Sequence, residues 1–214
     1  MTSTRRDTVV AGNAPISGLL VVVSAPSGTG KTSVLREVMK KRPEVRFSVS
    51  ATTRPAREGE VDGRDYRFVS DAEFDALLER GEFVEWAVVH GNRYGTLSSE
   101  IACAVERGGV VILDTDTAGA MAIRKMFPEA VLIFIVPPSP EDLKKRLEVR
   151  GTESPERVRI RLDAAPGEVK RALRYDYIVV NDRLDDAVAG IIAILDAERL
   201  KSGRMKPILE GWRV

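Results

Sequence analysis

The chain has 214 residues, 43% of them hydrophobic and 30% charged, enough for a substantial core and in the range of one domain with inserted subdomains. Lysines and arginines number 33 against 32 acids, and a formal net charge of +1 excludes a global field that would recruit nucleic acid or an anionic membrane, so any anion binding has to be local. The single cysteine, Cys103, excludes an internal disulfide and reads as a buried or half-buried thiol; with no apolar run long enough for a membrane span or a signal peptide, a cytoplasmic protein is expected.

Residues 1–17 are rich in Thr, Ser, Ala, Gly and Asn without a sustained period and read as a flexible arm, and 206–214 as a tail. From Gly18 the pattern predicts an aliphatic strand over 19–24, a Gly-rich turn, and a helix over 31–41 that stops ahead of Pro43. Over 45–96 the rhythm changes, with strands predicted at 47–50, 66–69 and 83–89 and a helix at 71–79, the mark of a small insert. Alternation then resumes: helix 98–107, strand 110–113, helix 118–127, strand 131–136 and helix 140–147. A polar, Arg-rich stretch carrying Pro155 and Pro166 reads as a mobile lid, before a strand at 177–180 and a helix at 185–200. Short β-branched runs between helices point to parallel strands covered on both faces. The expected organisation is a core of 18–49, 98–149 and 168–205, an insert of 50–97 and a lid of 150–167.

The segment Ala25-Pro-Ser-Gly-Thr-Gly-Lys-Thr follows the first strand and opens the first helix, the context that makes a phosphate-binding loop. Gly28 and Gly30 let backbone N–H groups curl around phosphate oxygens, the helix N-terminus adds its positive dipole end, and Lys31 can bridge the β- and γ-phosphates. Ser27, Gly28, Thr29, Gly30, Lys31, Thr32 and Ser33 are the expected ATP-binding set, with the Thr32 hydroxyl offered to Mg²⁺, partly through water. Ala25 stands where the strict pattern has Gly. In the insert, Arg54 and Arg57 lie three residues apart, and two guanidinium forks with a phenol such as Tyr66 or Tyr94 suit a monophosphate.

From Gly18 to about Leu200 the sequence resembles the guanylate kinases, on the segments SVSATTR, GEVDGRDY, FVEWAVVHGNRYGT, ILDTD, LIFIVPP and RLEVRGTES taken together. The resemblance implies an α/β fold of the P-loop NTPase type, a three-layer parallel-sheet core with an inserted GMP-binding subdomain and a short lid. It also implies ATP and Mg²⁺ as donor and cofactor, GMP and dGMP as acceptors, and neither nucleic acid nor membrane as partner; monomer and homodimer both stay open. By the same resemblance Arg54, Arg57, Tyr66 and Tyr94 hold the GMP phosphate, while Ser50, Glu85 and Thr96 read guanine. Chemistry agrees, because one carboxylate accepts guanine's N1–H and N2 amine together, whereas adenine leaves that acceptor unpaired. Trp86 has no chemical role in this reading, and His90 is a structural residue of the HGN turn.

Asp114 and Asp116 follow a strand and would face the same way if it continued; in the family they lie near the acceptor and the metal's water shell, and either could be the one that organises the metal. Arg146 and Arg150, four apart on one helix face, and Arg161 in the polar stretch match the family's arginines that close over ATP, and with Lys31 and Arg54 they form the expected catalytic set. Asn181 is expected near adenine by the same likeness. Thr115, Ala118 and Val149 depart from the family's usual aliphatic residue, Gln and Gly, and Pro166-Gly167 is expected to interrupt a helix that is continuous in the family. Two other functions fit parts of the pattern: a scaffold domain of guanylate-kinase type that binds phosphopeptides, and a P-loop kinase for a sugar phosphate or another nucleotide. Lys31, Thr32 and the lid arginines argue against the first, and Ser50, Glu85 and Thr96 against the second.

Overall fold

The central strands are apolar on both sides, so helices must cover both faces of their sheet. The computed structural model describes residues 18–89, 91–106, 109–149 and 155–205. In order it runs β1 (Leu19–Ser24), α1 (Lys31–Lys41), β2 (Val45–Phe47), β3 (Ala51–Thr52), β4 (Arg67–Phe68), α2 (Asp71–Glu79), β5 (Phe83–Val89), β6 (Asn92–Leu97) and α3 (Ser98–Glu106). It continues with β7 (Val110–Asp114), α4 (Thr117–Met126), β8 (Val131–Val136), α5 (Pro140–Val149), α6 (Pro155–Arg171), a single 3-10 turn (Ala172–Arg174), β9 (Tyr177–Val180) and α7 (Leu184–Arg199). Expectations for the arm, for His90, Arg150 and the tail, and for the burial of Cys103 lie outside the described residues.

Strands β2, β7, β1, β8 and β9 form a parallel sheet in that spatial order. Alternate side chains of β1 sort into two cores: Leu19, Val21 and Val23 pack with Val34, Leu35 and Val38 of α1 and Val188 and Ile191 of α7. Leu20 and Val22 pack on the other side with Ile101 of α3 and Ala120 and Ile123 of α4. The result is three layers with β1 in the middle, and the register pairs Val23 with Asp114 where β1 and β7 end. A second sheet, ordered β4-β3-β6-β5, packs Ala51, Leu77 of α2 and Leu97 together. Helix α2 starts on a capping box, the Ser70 side chain accepting from the Glu73 N–H while the Glu73 carboxylate accepts from the Ser70 N–H.

Three expectations need correction. The strand expected at 47–50 is two: Val45–Phe47 joins the parallel sheet and Ala51–Thr52 the second one, so the chain changes sheets between them. Strand β6 was not foreseen, although Val89 pairs with Asn92 across a two-residue turn whose Gly91 has φ +80°. Helix α6 runs without a break from Pro155 through Pro166 to Arg171, so the expected interruption at Pro166-Gly167 is absent and the described part of the lid stretch, 155–167, is helical. The reason is a stripe of Val158, Leu162 and Ala165, spaced four and three, packed on Leu143 and Leu147 of α5. Val158 and Leu162 are partly buried and Ala165 fully, and with Leu143 and Leu147 of α5 their packing offsets the cost of roughly 3 kcal/mol for proline in a helix.

This identifies two residues that weaken α6 without shaping it. A Cβ added at Gly167 would meet nothing within 4 Å. Gly167→Ala should therefore raise the unfolding free energy by about 0.5–1 kcal/mol, and Pro166→Ala by about 1–3 kcal/mol, in urea titrations with an unchanged m-value. A loss of stability in both variants would show that the helix needs the bend.

Candidate active site

The loop after β1 is held from behind. Gly28 and Gly30 both have φ +93°, a left-handed geometry that suits glycine, and the space a Cβ would fill is already taken. At Gly28 that atom would lie 2.6 Å from Leu147 Cδ2, and at Gly30 2.8 Å from Asn181 Nδ2. Between them the Thr29 carbonyl accepts from Asn181 Nδ2 at 2.7 Å and from Arg146 Nη1 at 3.2 Å. Asn181 and Arg146 thus brace the loop's backbone from β9's end and from α5. Lys31 forms an ion pair with Asp114 at the end of β7, and Thr32 and Ser33 are exposed on the first turn of α1. From α6, Arg161 donates to the Ser27 hydroxyl, bringing a guanidinium to the mouth of the loop.

Arg161 also lines a cavity of about 390 Å³ together with Ile160, Arg54, Pro55, Arg57, Asn92 and Tyr94. Arg54 is clamped there: Nη2 donates to both Glu60 oxygens at 2.9 Å, Nη1 donates to the Pro55 carbonyl at 2.6 Å, and the guanidinium lies 5.4 Å from the Tyr66 ring centre. Burial opposes its charge, but the hydrogen bond and ion pair with Glu60 outweigh this and raise its pKa. Tyr66 stands edge-on to Tyr94, ring centres 6.0 Å apart. Burial, then the charge of Asp114, pushes its phenol pKa up, so it stays a hydrogen-bond donor.

Glu85 and Thr96 are cross-strand partners on β5 and β6, and the Thr96 hydroxyl donates to Glu85 Oε1 at 2.6 Å. A register shift between Phe83 and Glu85 creates this pairing: Phe83 opposes Leu97, and the extra residue in β5 moves Glu85 onto Thr96. Burial raises the Glu85 pKa, the Thr96 hydrogen bond lowers it, and Asp116's charge raises it again, with a net rise. Its other oxygen lies against α4, where a Cβ on Gly119 would come within 2.8 Å of Glu85 Oε2 and 2.1 Å of Thr115 Oγ1. Ser50 is buried on the chain's crossing between the sheets, its carbonyl accepting from the Arg67 N–H at 2.9 Å.

The expected pairing of Asp114 with Asp116 on one strand face is corrected. Strand β7 ends at Asp114, and Asp116 caps α4, accepting from the Ala118 and Gly119 N–H groups at 2.9 and 2.8 Å. Helix termini favour such caps strongly, so the second acid leaves the strand for the start of α4 while the first stays on Lys31. Sequence reasoning missed Glu60, Gly119 and Arg171, whose Nη1 donates to the Thr117 hydroxyl at 2.8 Å. It also missed Glu168, whose pKa burial and then Asp116 raise against the pull of Lys31 and Arg171. Only Glu60 carried a signal, as an acid three residues past Arg57 in the same loop.

A family model described as guanylate kinase matches residues 17–198. The chain is 49% identical to the guanylate kinase of Symbiobacterium thermophilum over 87% of this chain and 89% of that one. It is 44% identical to the guanylate kinase of Thermotoga maritima over 93% and 96% of the two chains. Among solved structures, the crystal structure of guanylate kinase from Anaplasma phagocytophilum superposes with a TM-score of 0.75 at 35% identity, covering 91% of this chain and 94% of that one.

Glu85 has its proton affinity raised by folding, so between the unfolded and folded pKa values the native state binds more protons and stability falls as pH rises. Glu85→Gln should match the parent protein's stability below the ordinary value of 4.5 and exceed it at neutral pH, in thermal melts taken across that range. A variant less stable at pH 7 than at pH 4 relative to the parent would refute the assignment. Gly119→Ala should gain helix propensity yet push Glu85 and Thr115 aside, for a net loss of about 1–3 kcal/mol of unfolding free energy in urea titrations. An unchanged or raised stability in that variant would show that the contact is soft.

Proposed function

The chain belongs to the guanylate kinase family, enzymes that move the γ-phosphoryl group of ATP onto GMP, and from that premise we propose how its own residues carry out the transfer. One observation carries the reading: Arg161 touches Ser27 of the phosphate loop and lines the same cavity as Arg54, Arg57 and Tyr94. A donor bound on the loop and an acceptor phosphate in that cavity would face each other across one guanidinium.

In this reading the backbone N–H groups of Ser27 to Thr32 cradle the ATP phosphates and Lys31 leaves Asp114 for the β- and γ-oxygens. Arg54, Arg57, Tyr66 and Tyr94 hold the GMP phosphate, and Glu85 accepts guanine's N1–H and N2 amine while the Thr96 hydroxyl turns from Glu85 to donate to O6 together with that of Ser50. A phosphate oxygen of GMP bonds to the γ-phosphorus as the bond to the β-bridging oxygen breaks, and the pair of electrons leaves with ADP. The attacking oxygen is already ionised near neutral pH, so no side chain has to remove a proton. Arg146 and Arg161, with Arg150, supply fixed positive charge where negative charge is shared in the transition state. Asn181 stands behind the loop in this scheme and meets adenine only past that contact.

The donor set fits a magnesium ion carried in with the triphosphate. Thr32 offers one hydroxyl, Asp114 a carboxylate beside Lys31, and no group of three or more His, Cys, Asp or Glu among the described residues could hold an ion alone. When bound, the ion neutralises charge on the phosphate oxygens; Thr32 and Asp114 would hold it, leaving Asp116 to the acceptor side. Among the described residues no helix is long and apolar enough to cross a membrane, and a cytoplasmic enzyme completes the proposal.

Lys31→Met should reduce kcat by roughly 10³-fold or more with little change in melting temperature, since it removes charge from the transition state and not from a core. ADP release measured with GMP, dGMP, AMP, UMP and a sugar phosphate should be fast with the guanine nucleotides only. Undiminished turnover in Lys31→Met, or an equal rate with AMP, would overturn the assignments of loop and base reader.

A further inference from the structure

We propose that Glu60 is the positioning residue of the acceptor-phosphate clamp, an inference that rests on the clamp reading above. Its carboxylate holds both arginines of the clamp at once. Oε1 and Oε2 each accept from Arg54 Nη2 at 2.9 Å, and Oε2 also accepts from the backbone N–H of Arg57 at 2.8 Å. The Glu60 N–H in turn donates to the Arg57 carbonyl at 3.0 Å, closing the loop on itself.

The pair is not a surface ornament. The Arg54 and Glu60 side chains are 10% and 16% exposed, while most other ion pairs among the described residues have at least one well-exposed partner. Arg54 is fixed on its remaining sides too, by the Pro55 carbonyl and by the rings of Tyr66 and Phe68 at 5.4 and 5.7 Å. Glu60 takes the Nη2 edge, and Tyr94 stands in the same cavity wall. A flexible arginine would have to give up its rotamer freedom when the phosphate arrives; one already locked by a carboxylate has given it up on folding.

A carboxylate near an anion site also repels the anion, and that effect has the opposite sign. If Glu60 merely stood in for the missing phosphate, removing it would tighten GMP binding. Positioning requires that removing it weaken GMP binding, and that the weakening follow the phosphate and not the base.

Glu60→Ala and Glu60→Gln, each in the full chain, separate these. Positioning predicts a KM for GMP raised about tenfold or more in Glu60→Ala, equivalent to about 1.4 kcal/mol, with kcat and the KM for ATP within about threefold. Glu60→Gln, which keeps one acceptor for the Arg57 N–H, should lie between. Inhibition by guanosine, which lacks the phosphate, should not change. An unaltered or lowered KM for GMP overturns the proposal, and so does an equal weakening of guanosine and GMP, which would mean that the insert had lost its shape. Arg54→Ala serves as the reference: if it too leaves the KM for GMP unchanged, the clamp reading itself fails, whereas a raised KM there beside a normal one in Glu60→Ala sinks only the role of Glu60.

Discussion

A carbonyl that points backwards organises this molecule. With Gly28 and Gly30 on either side of it in left-handed geometry, the Thr29 peptide offers its oxygen to Asn181 and Arg146, which both donate to it. That oxygen is satisfied from behind, while the Thr29 N–H donates to the Pro26 carbonyl at 3.2 Å within the loop itself. The brace comes from distant parts of the chain: α5 supplies Arg146 and Leu147, and the turn after β9 supplies Asn181. Those elements reach the loop because β8 lies next to β1 and β9 next to β8 in the parallel sheet. The shape of the loop is therefore a consequence of the strand order, and a change in how α5 packs would be felt in the loop's backbone.

Charge is handled by the same economy of placement. The overall balance of the chain is nearly neutral, yet the site gathers cations, and the well-placed ones each have an internal partner. Lys31 has Asp114, Arg54 has Glu60, and Arg161 has the Ser27 hydroxyl. Each partner holds its cation in place, and Glu60 keeps Arg54 charged although burial opposes it. On the acid side the logic is reversed: Glu85 is buried near Asp116 and accepts one hydrogen bond, so its ionisation is penalised until something with two donors comes to it. In the reading proposed above, a purine with adjacent N–H donors answers that need, and the penalty becomes selectivity.

The strands and helices of the parallel core could be read from the sequence because apolar periodicity and length agree there; Leu19–Ser24, Lys31–Lys41, Val131–Val136 and Tyr177–Val180 appear with the expected bounds. The insert was harder. Asn92–Leu97 holds Arg, Tyr and Gly in place of a β-branched run, and Gly95 is needed because a Cβ there would lie 2.5 Å from the Phe83 ring. Helix α6 was obscured by its two breakers, whose local cost is overridden by packing on α5 that no local pattern contains. In the site, motif residues were legible as types, but their partners were not. That Asp114 would meet Lys31 follows from the parallel register of β1 and β7, and that Asp116 would turn away to cap α4 is a choice made at the helix terminus.

The continuity of α6 bears on how two bound nucleotides could sense one another. Arg161, near its middle, touches the phosphate loop; Arg171, at its end, donates to Thr117 on the first turn of α4, next to the cap formed by Asp116. Glu168 lies between them in the field of both Lys31 and Asp116. A broken segment could let Arg161 move while Arg171 stayed in place, but an unbroken helix packed on α5 moves as a body. Glu85 rests against α4 through Gly119, so α6 and the Glu85 side chain meet the same helix. The path from the Ser27 hydroxyl to the first turn of α4 is thus one continuous helix long.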